Sequence, residues 1–408
     1  RLTVGSIRLR PTARKSGTVT PFQAAATALG STVGTGNIVG VSQAIAMGGP
    51  GALFWLWAAA LIGMIVKYAE VALAIYYRRG SIGSGPMDYI THGLGRPHLA
   101  RVYGVLVTLS AFCMGNLVQV SSIADSFVRA VDACTVGPMQ SPAALRFALG
   151  LVLAAVTALL LSGGAGRVGT AAEAMVPLMS LLFIAASIAV VAVNHSRIAG
   201  VMSTVFIEAF RPGAITGGIC GVTTAQCIQW GLRRSAFSNE AGLGTAAIAH
   251  AAADTDDPAA HGMWGIFEVF ADTIVICTCT ALAILCSGVN IPWGSVTGTE
   301  VYQSALASVF GARTSAVFMA VTICLFAYTS VMGWAVYGSR CAEYISGRRG
   351  AALYGFLFPC VCLCGCVMST KGVWQIADLI NALMSLPNLA SLLMLAPVAG
   401  KISRKIDT

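Results

Sequence analysis

The feature that constrains this chain most is a succession of apolar stretches, each about 20 residues or longer, running from one end to the other. A helix rises about 1.5 Å per residue, so about 20 such residues cross the hydrocarbon of a bilayer. Ten stretches are read, at roughly 19–46, 51–77, 99–124, 143–163, 170–193, 220–252, 262–288, 313–338, 350–369 and 374–397. Only 10% of the 408 residues are charged, against about a quarter in a soluble domain. A water-soluble globule could not cover its surface with so few charges. Soluble enzymes and disordered scaffolds are excluded on this ground, and an all-α polytopic protein in a lipid bilayer is expected.

Lysine and arginine set the orientation, because they concentrate in cytoplasmic loops. With the N-terminus inside, the inner segments hold Arg1, Arg8, Arg10, Arg14, Lys15, Arg78, Arg79, Arg96, Arg101, Arg167, Arg340, Arg348, Arg349, Lys401, Arg404 and Lys405. The outer loops hold only Arg129, Arg146, Arg197, Arg211, Arg313 and Lys371. This asymmetry predicts an integral plasma-membrane protein (bacterial inner membrane) with both termini in the cytoplasm and an even number of spans. The net charge of +9 lies in these loops without interleaved aromatics, so no nucleic-acid partner is expected. The Cys360, Cys362, Cys364, Cys366 run alternates along a helix and falls on two faces, so it cannot gather round a metal.

Five spans fall within 19–193 and five within 222–397, joined by an extracellular connection at 194–221 and flanked by cytoplasmic ends at 1–18 and 398–408. An odd number of spans per half makes the second half enter from the opposite side, which is the arithmetic of an inverted repeat. The first span of each half is interrupted, by Gly30-Ser31-Thr32-Val33-Gly34-Thr35-Gly36-Asn37-Ile38-Val39-Gly40 and by Phe237-Ser238-Asn239-Glu240-Ala241-Gly242-Leu243-Gly244. Glycine disfavours helix. Unwound backbone at membrane depth must line a cavity or hold something, since lipid cannot satisfy it. Its carbonyls can coordinate a cation and its N–H groups can hold a carboxylate. Glycine alone would also suit close helix packing. Asn37, Asn239 and Glu240 at matching depth favour a binding site, because polar groups inside a membrane are costly without a role. A dinucleotide loop at Gly34, Gly36 and Gly40 fails, since no strand precedes it and the spacing is wrong.

These residues carry a family resemblance. Gly34-Thr35-Gly36-Asn37-Ile38, Gly48-Gly49-Pro50-Gly51-Ala52 with Phe54-Trp55, Ser238-Asn239-Glu240-Ala241-Gly242-Leu243-Gly244 and Ala249-His250-Ala251 resemble the sodium:alanine symporters, also called alanine or glycine:cation symporters. Lys67-Tyr68-Ala69-Glu70-Val71, Gly85-Pro86-Met87 and Gly333-Trp334 agree. The resemblance implies a leucine-transporter-like (LeuT-type) 5+5 inverted-repeat bundle of ten transmembrane helices, with helices 1 and 6 broken. It also implies sodium-coupled uptake of alanine or glycine. Members of that family usually carry one more helix before the first span. Here that position holds the basic and polar Arg1–Thr18, so ten spans are expected rather than eleven.

The resemblance also suggests roles. One sodium site would draw on Asn37, Asn239 and Asp272, and a second on the backbone near Gly34 with the hydroxyls of Thr329 and Ser330. Sodium is a hard cation that prefers oxygen, and it would offset the Asp272 charge. Pairing of Asp272 with Arg233 or Arg234 is the alternative, as is hydroxyl back-bonding for Thr329 and Ser330. The amino acid would sit between the breaks, held by Thr35, Gly36 and Ser238. Gly115 and Gln119 would present a gap and an amide from one helix face. Phe237 and Trp334 would wall the pocket, or simply pack. Arg234, Glu240 and Glu70 would gate or support the breaks, the two glutamates by accepting exposed N–H groups.

Two rival readings stay open at this stage. The same fold could be driven by protons or act as an exchanger, with Glu268 and Asp272 at i, i+4 as a relay. A membrane metalloenzyme could be built on His250, Asp254, Asp257 and His261, where the stretch from Asp254 to His261 otherwise reads as a solvated loop between the sixth and seventh spans.

Overall fold

Thr20 opens the first helix. Its hydroxyl accepts the Gln23 N–H (3.1 Å), its own N–H donates to Gln23 Oε1 (3.2 Å), and Pro21 takes the first helical position. This helix, α1 (Pro21–Thr32), stops where Val33 leaves helical geometry at ψ 90°, and a π-turn at Gly36–Gly40 leads into α2 (Val41–Gly48). The second interruption is built the same way. Thr223 and Gln226 form a capping box at the start of α8 (Thr224–Asn239), which ends at Glu240, and the chain resumes as α9 (Thr245–His250).

The longer remaining helices are α3 (Ala52–Tyr76), α4 (Pro97–Cys134), α5 (Pro142–Leu161), α6 (Gly164–Val193), α7 (Ile198–Glu208), α10 (Pro258–Ser287), α11 (Glu300–Phe310), α12 (Ala312–Val367) and α13 (Thr370–Arg404). The computed structural model describes residues 18–80, 83–135, 141–211, 222–296, 298–368 and 370–404. Most of the 1–18 segment, the end of the 194–221 connection and the end of the 398–408 tail lie outside the described residues, and with them Arg1 to Lys15 and Lys405.

Among the described residues, seven helices are long and apolar enough to cross a membrane: α3, α4, α5, α6, α10, α12 and α13. Leu61, Ile62, Ile65, Leu181 and Leu393 are 60–77% exposed on them, a surface suited to lipid. The stretches read as 313–338 and 350–369 are joined without a loop in α12, divided only by Gly347 at φ 64°, ψ −159°. The third span extends to Cys134, beyond the expected 124. The connection at 194–221 contains an 11-residue helix, α7, too short to span.

Two sets of helices pack within themselves. α3 packs against α8 and α10, while α12 packs against α4 and α5. Glycines permit the close crossing of α3 and α10: a Cβ on Gly262 would lie 2.7 Å from the Tyr68 ring, and one on Gly265 would lie 2.8 Å from the Lys67 carbonyl. α1 lies against α6 and α9, and also meets α10 of the first set and α12 of the second, so it touches both sets. π-segments, which recur at functional sites, occur at Gly36–Gly40, Tyr89–Gly93, Cys113–Leu117 and Phe270–Cys277.

Candidate substrate and ion site

The two interruptions touch. A Cβ on Gly36 would lie 3.1 Å from the Phe237 ring and 3.3 Å from Ser238 Cα. The second break turns through positive φ at Glu240 (55°), Gly242 (92°) and Gly244 (79°). At Gly244 only glycine fits, since a Cβ would also lie 2.6 Å from Tyr103 Oη.

Asp272 is fully buried beside this contact. Its carboxylate accepts Asn37 Nδ2 (2.7 Å), Ser238 Oγ (2.7 Å) and Thr273 Oγ1 (2.8 Å). Asn239 joins one step away, donating to Thr273 Oγ1 (3.0 Å) while its Oδ1 accepts the Ala241 N–H (3.0 Å). Asn37, Asn239 and Asp272 thus fall into one network, which also takes in Ser238 and Thr273. Arg233 and Arg234 pair with Asp378, not with Asp272. Asn37 Oδ1 accepts the Gly34 N–H (2.9 Å) and so holds the first break in shape.

A buried lysine completes the electrostatics. Lys67 donates to the Asn239 carbonyl at 2.8 Å, and its charge acts on Glu70, Glu240 and Asp272. Glu70, Glu240 and Asp272 are all fully buried, and buried carboxyl groups are costly unless paired or hydrogen-bonded.

The expected roles of the glutamates divide. Glu70 Oε1 accepts the N–H groups of Gly242 and Gly244 (3.0 Å each) and the amide of Asn388 (2.7 Å). Glu240 does not accept backbone N–H groups. Its αL geometry turns the carboxylate to the Thr245 hydroxyl (2.5 Å) and the Trp334 indole (3.0 Å).

Thr35 and Gln119 meet, with the Thr35 hydroxyl donating to Gln119 Oε1 at 3.1 Å. The expected gap at Gly115 is filled, because a Cβ there would lie 2.3 Å from Trp334 Cβ. The missing side chain seats the indole; it does not leave open space. Thr329 back-bonds to Leu325 and Phe326 carbonyls (3.0 and 2.9 Å). Ser330 reaches the Gly30 carbonyl (3.4 Å) as well as Phe326 (3.2 Å), and a Cβ on Gly34 would lie 2.4 Å from its hydroxyl.

Beyond the junction a cavity of about 830 Å³ opens, bordered by Val39, Gln43, Ser122, Arg129, Asn290 and Trp374. At its floor Phe237 and Trp374 stack with centroids 4.7 Å apart, and the Arg234 guanidinium lies over both rings. Lys67, Thr273, Trp374 and Asp378 were not among the expected site residues. Lys67 and Asp378 carried a signal, each being a charge inside an apolar stretch.

The metalloenzyme reading is corrected. His250 and His261 are buried, and their rings bond to each other (Nδ1 to Nε2, 2.9 Å) while His250 Nε2 meets Glu268 (2.6 Å). The nitrogens face one another and do not converge on a common point. Asp257 caps α10 through Ala259 and Ala260. Among the described residues no group of three such side chains is arranged to hold a metal.

Comparison with known proteins decides the family. Residues 3–407 match the sodium:alanine symporter family. The chain belongs to this family. The sodium/alanine symporter AgcS of Methanococcus maripaludis is 40% identical over 392 residues, covering 94% of this chain and 83% of that protein. An uncharacterized transporter of Haemophilus influenzae is 37% identical over 388 residues, covering 94% and 82%. The crystal structure of MhsT in complex with L-phenylalanine superposes with a TM-score of 0.65 at 14% identity, covering 94% and 89% of the two chains, which shows a LeuT-like fold. As a sodium:alanine symporter the chain is a multi-pass membrane carrier that couples alanine transport to co-transported sodium.

Proposed function

We propose that sodium and a small neutral amino acid, alanine or glycine, meet at the junction of the two breaks and cross by alternating access. The observation that carries this reading is the network on Asp272, where both breaks and the π-segment of α10 share one buried carboxylate. Asn37, Ser238, Asn239, Thr273 and Asp272 are the oxygen-bearing set for one sodium ion. Ser330, Thr329 and the backbone of Gly30 and Gly34 are the set for a second. The amino acid takes Thr35, Gly36 and Gln119 on one side, with Phe237 and Trp374 above it and Trp334 behind Gly115.

Ten crossings fit this scheme. The seven long helices become eight when α12 is divided at Gly347, and the broken pairs α1–α2 and α8–α9 make ten. They form two inverted halves, 19–193 and 222–397, with both termini in the cytoplasm and the cavity facing outward. The deciding experiment is radiolabelled alanine uptake into proteoliposomes with and without an inward sodium gradient. Equal uptake in the two conditions overturns the scheme.

A second reading, proton-linked transport, draws on one observation. His261, His250 and Glu268 form a continuous buried hydrogen-bonded chain, and Glu268 lies one helical turn from Asp272. Uptake that persists when choline replaces sodium, and that Glu268→Gln abolishes, would favour it.

A further inference from the structure

The end of the molecule opposite the cavity is shut by main chain. The cavity borders Val39 and Gln43, beyond the first break, whereas Val19 precedes α1 at the other end of the same span. Val19 donates to the Ala252 carbonyl (3.0 Å) and its own carbonyl accepts the Asp254 N–H (2.8 Å), a two-residue bridge between the start of α1 and the segment after α9. Gly83 N–H donates to the Ala251 carbonyl (3.1 Å) from the segment that follows α3.

One side chain gathers this seam. Arg78, just past the end of α3, has 7% of its side chain exposed. Its guanidinium donates to three carbonyls of the segment after α9: Ala251 (3.4 Å), Ala253 (2.5 Å) and Thr255 (2.5 Å). Its pairing with Asp256 is long, at 3.4 Å, and that carboxylate is 82% exposed, so the carbonyls are the main partners. Carbonyls just past a helix end have no intrahelical donor, and a planar fork of five N–H groups reaches several separated carbonyls at once, where a lysine offers three donors from a single atom.

We infer that Arg78 is the positioning residue of the inner gate: its guanidinium fastens the end of α3 to the main chain after α9, and carbonyl release is a step in opening that side. The inference rests on the alternating-access reading above. In an outward-facing molecule this seam must hold; for cargo to leave on the other side, the segment after α9 and the start of α1 must part. Hydrogen bonds to backbone carbonyls hold the segment by its path, so the gate does not depend on which side chains occupy 251–255.

The test compares the full-length parent with Arg78→Ala and Arg78→Lys. Hydrogen–deuterium exchange in detergent with sodium follows the N–H groups of Val19, Gly83 and Asp254. Expected is exchange faster by about tenfold or more in Arg78→Ala, with α4 and α5 unchanged and Arg78→Lys intermediate. Alanine uptake is then measured in membrane vesicles of both orientations. Loss of the gate shifts the carrier toward inner opening, so KM rises about fivefold or more from the cavity side and falls from the other. Unchanged exchange at the three amides overturns the inference. So does exchange that accelerates evenly through the molecule, or KM that moves equally on both sides, since either marks a merely structural role. Absence of sodium-driven uptake by the parent would defeat the transport scheme instead, and the exchange measurement would still read the seam.

Discussion

Asn37 Nδ2 lies 2.7 Å from Asp272 Oδ1, so the first break and the π-segment of α10 are tied by one bond between residues 235 positions apart. Asn37 also accepts the Gly34 N–H, which makes the shape of the break depend on the same side chain that reads the carboxylate.

Asp272→Asn removes the charge while keeping the volume. The sodium concentration for half-maximal uptake is expected to rise at least about tenfold, equivalent to about 1.4 kcal/mol of lost ion binding. Sodium titration of alanine uptake checks this. An unshifted curve would remove Asp272 from the ion site.

Glu70→Ala takes the acceptor from the N–H groups of Gly242 and Gly244 and from Asn388. A buried donor left without a partner costs about 1–3 kcal/mol. The thermal midpoint in detergent should fall clearly for Glu70→Ala and less for Glu70→Gln, which keeps an acceptor oxygen. Equal midpoints for parent and Glu70→Ala would show that the second break holds its shape unaided.

Gly115→Ala drives a methyl group into Trp334. Overpacking of this kind costs about 1–3 kcal/mol, and moving the indole also loosens its bond to Glu240. Uptake and thermal stability should both drop. Parent-like behaviour of the single variant would mean the indole has room to shift.

Trp374→Ala strips the ring that stacks on Phe237 beneath the cavity. Aromatic pairs contribute about 0.5–1.5 kcal/mol beyond area burial, so KM for alanine should rise roughly two- to tenfold. Asp378→Asn should act in the same direction by freeing Arg233 and Arg234. KM values equal to the parent's would separate the stacked pair from the substrate path.

The breaks were legible in the sequence because glycine and polar residues in an apolar stretch leave few physical options. They fall at Val33–Gly34 and Glu240–Gly244, inside the expected windows. What escaped depended on approach in space. The partner of Gly115 could not be read from helix spacing, because Trp334 lies on a different helix. Glu240 was assigned to backbone N–H groups, but its positive φ redirects the carboxylate, and composition does not reveal that. The buried histidine chain looked like loop because Asp254, Asp257 and Pro258 are loop-like residues; Asp257 in fact opens a helix that buries His261.

Gly347 turns α12 within a single residue. Two rods meeting at one pivot have no slack to slide past each other, and both lean on α4 and α5. Under the proposed alternating-access scheme this part of the molecule serves as the stator. In that scheme the working stroke falls to the half-length pieces α1 and α9, whose tethers at 33–34 and 240–244 are two and five residues long. An insertion beside Gly347 would unlock the stator, and an insertion in either tether would lengthen the stroke.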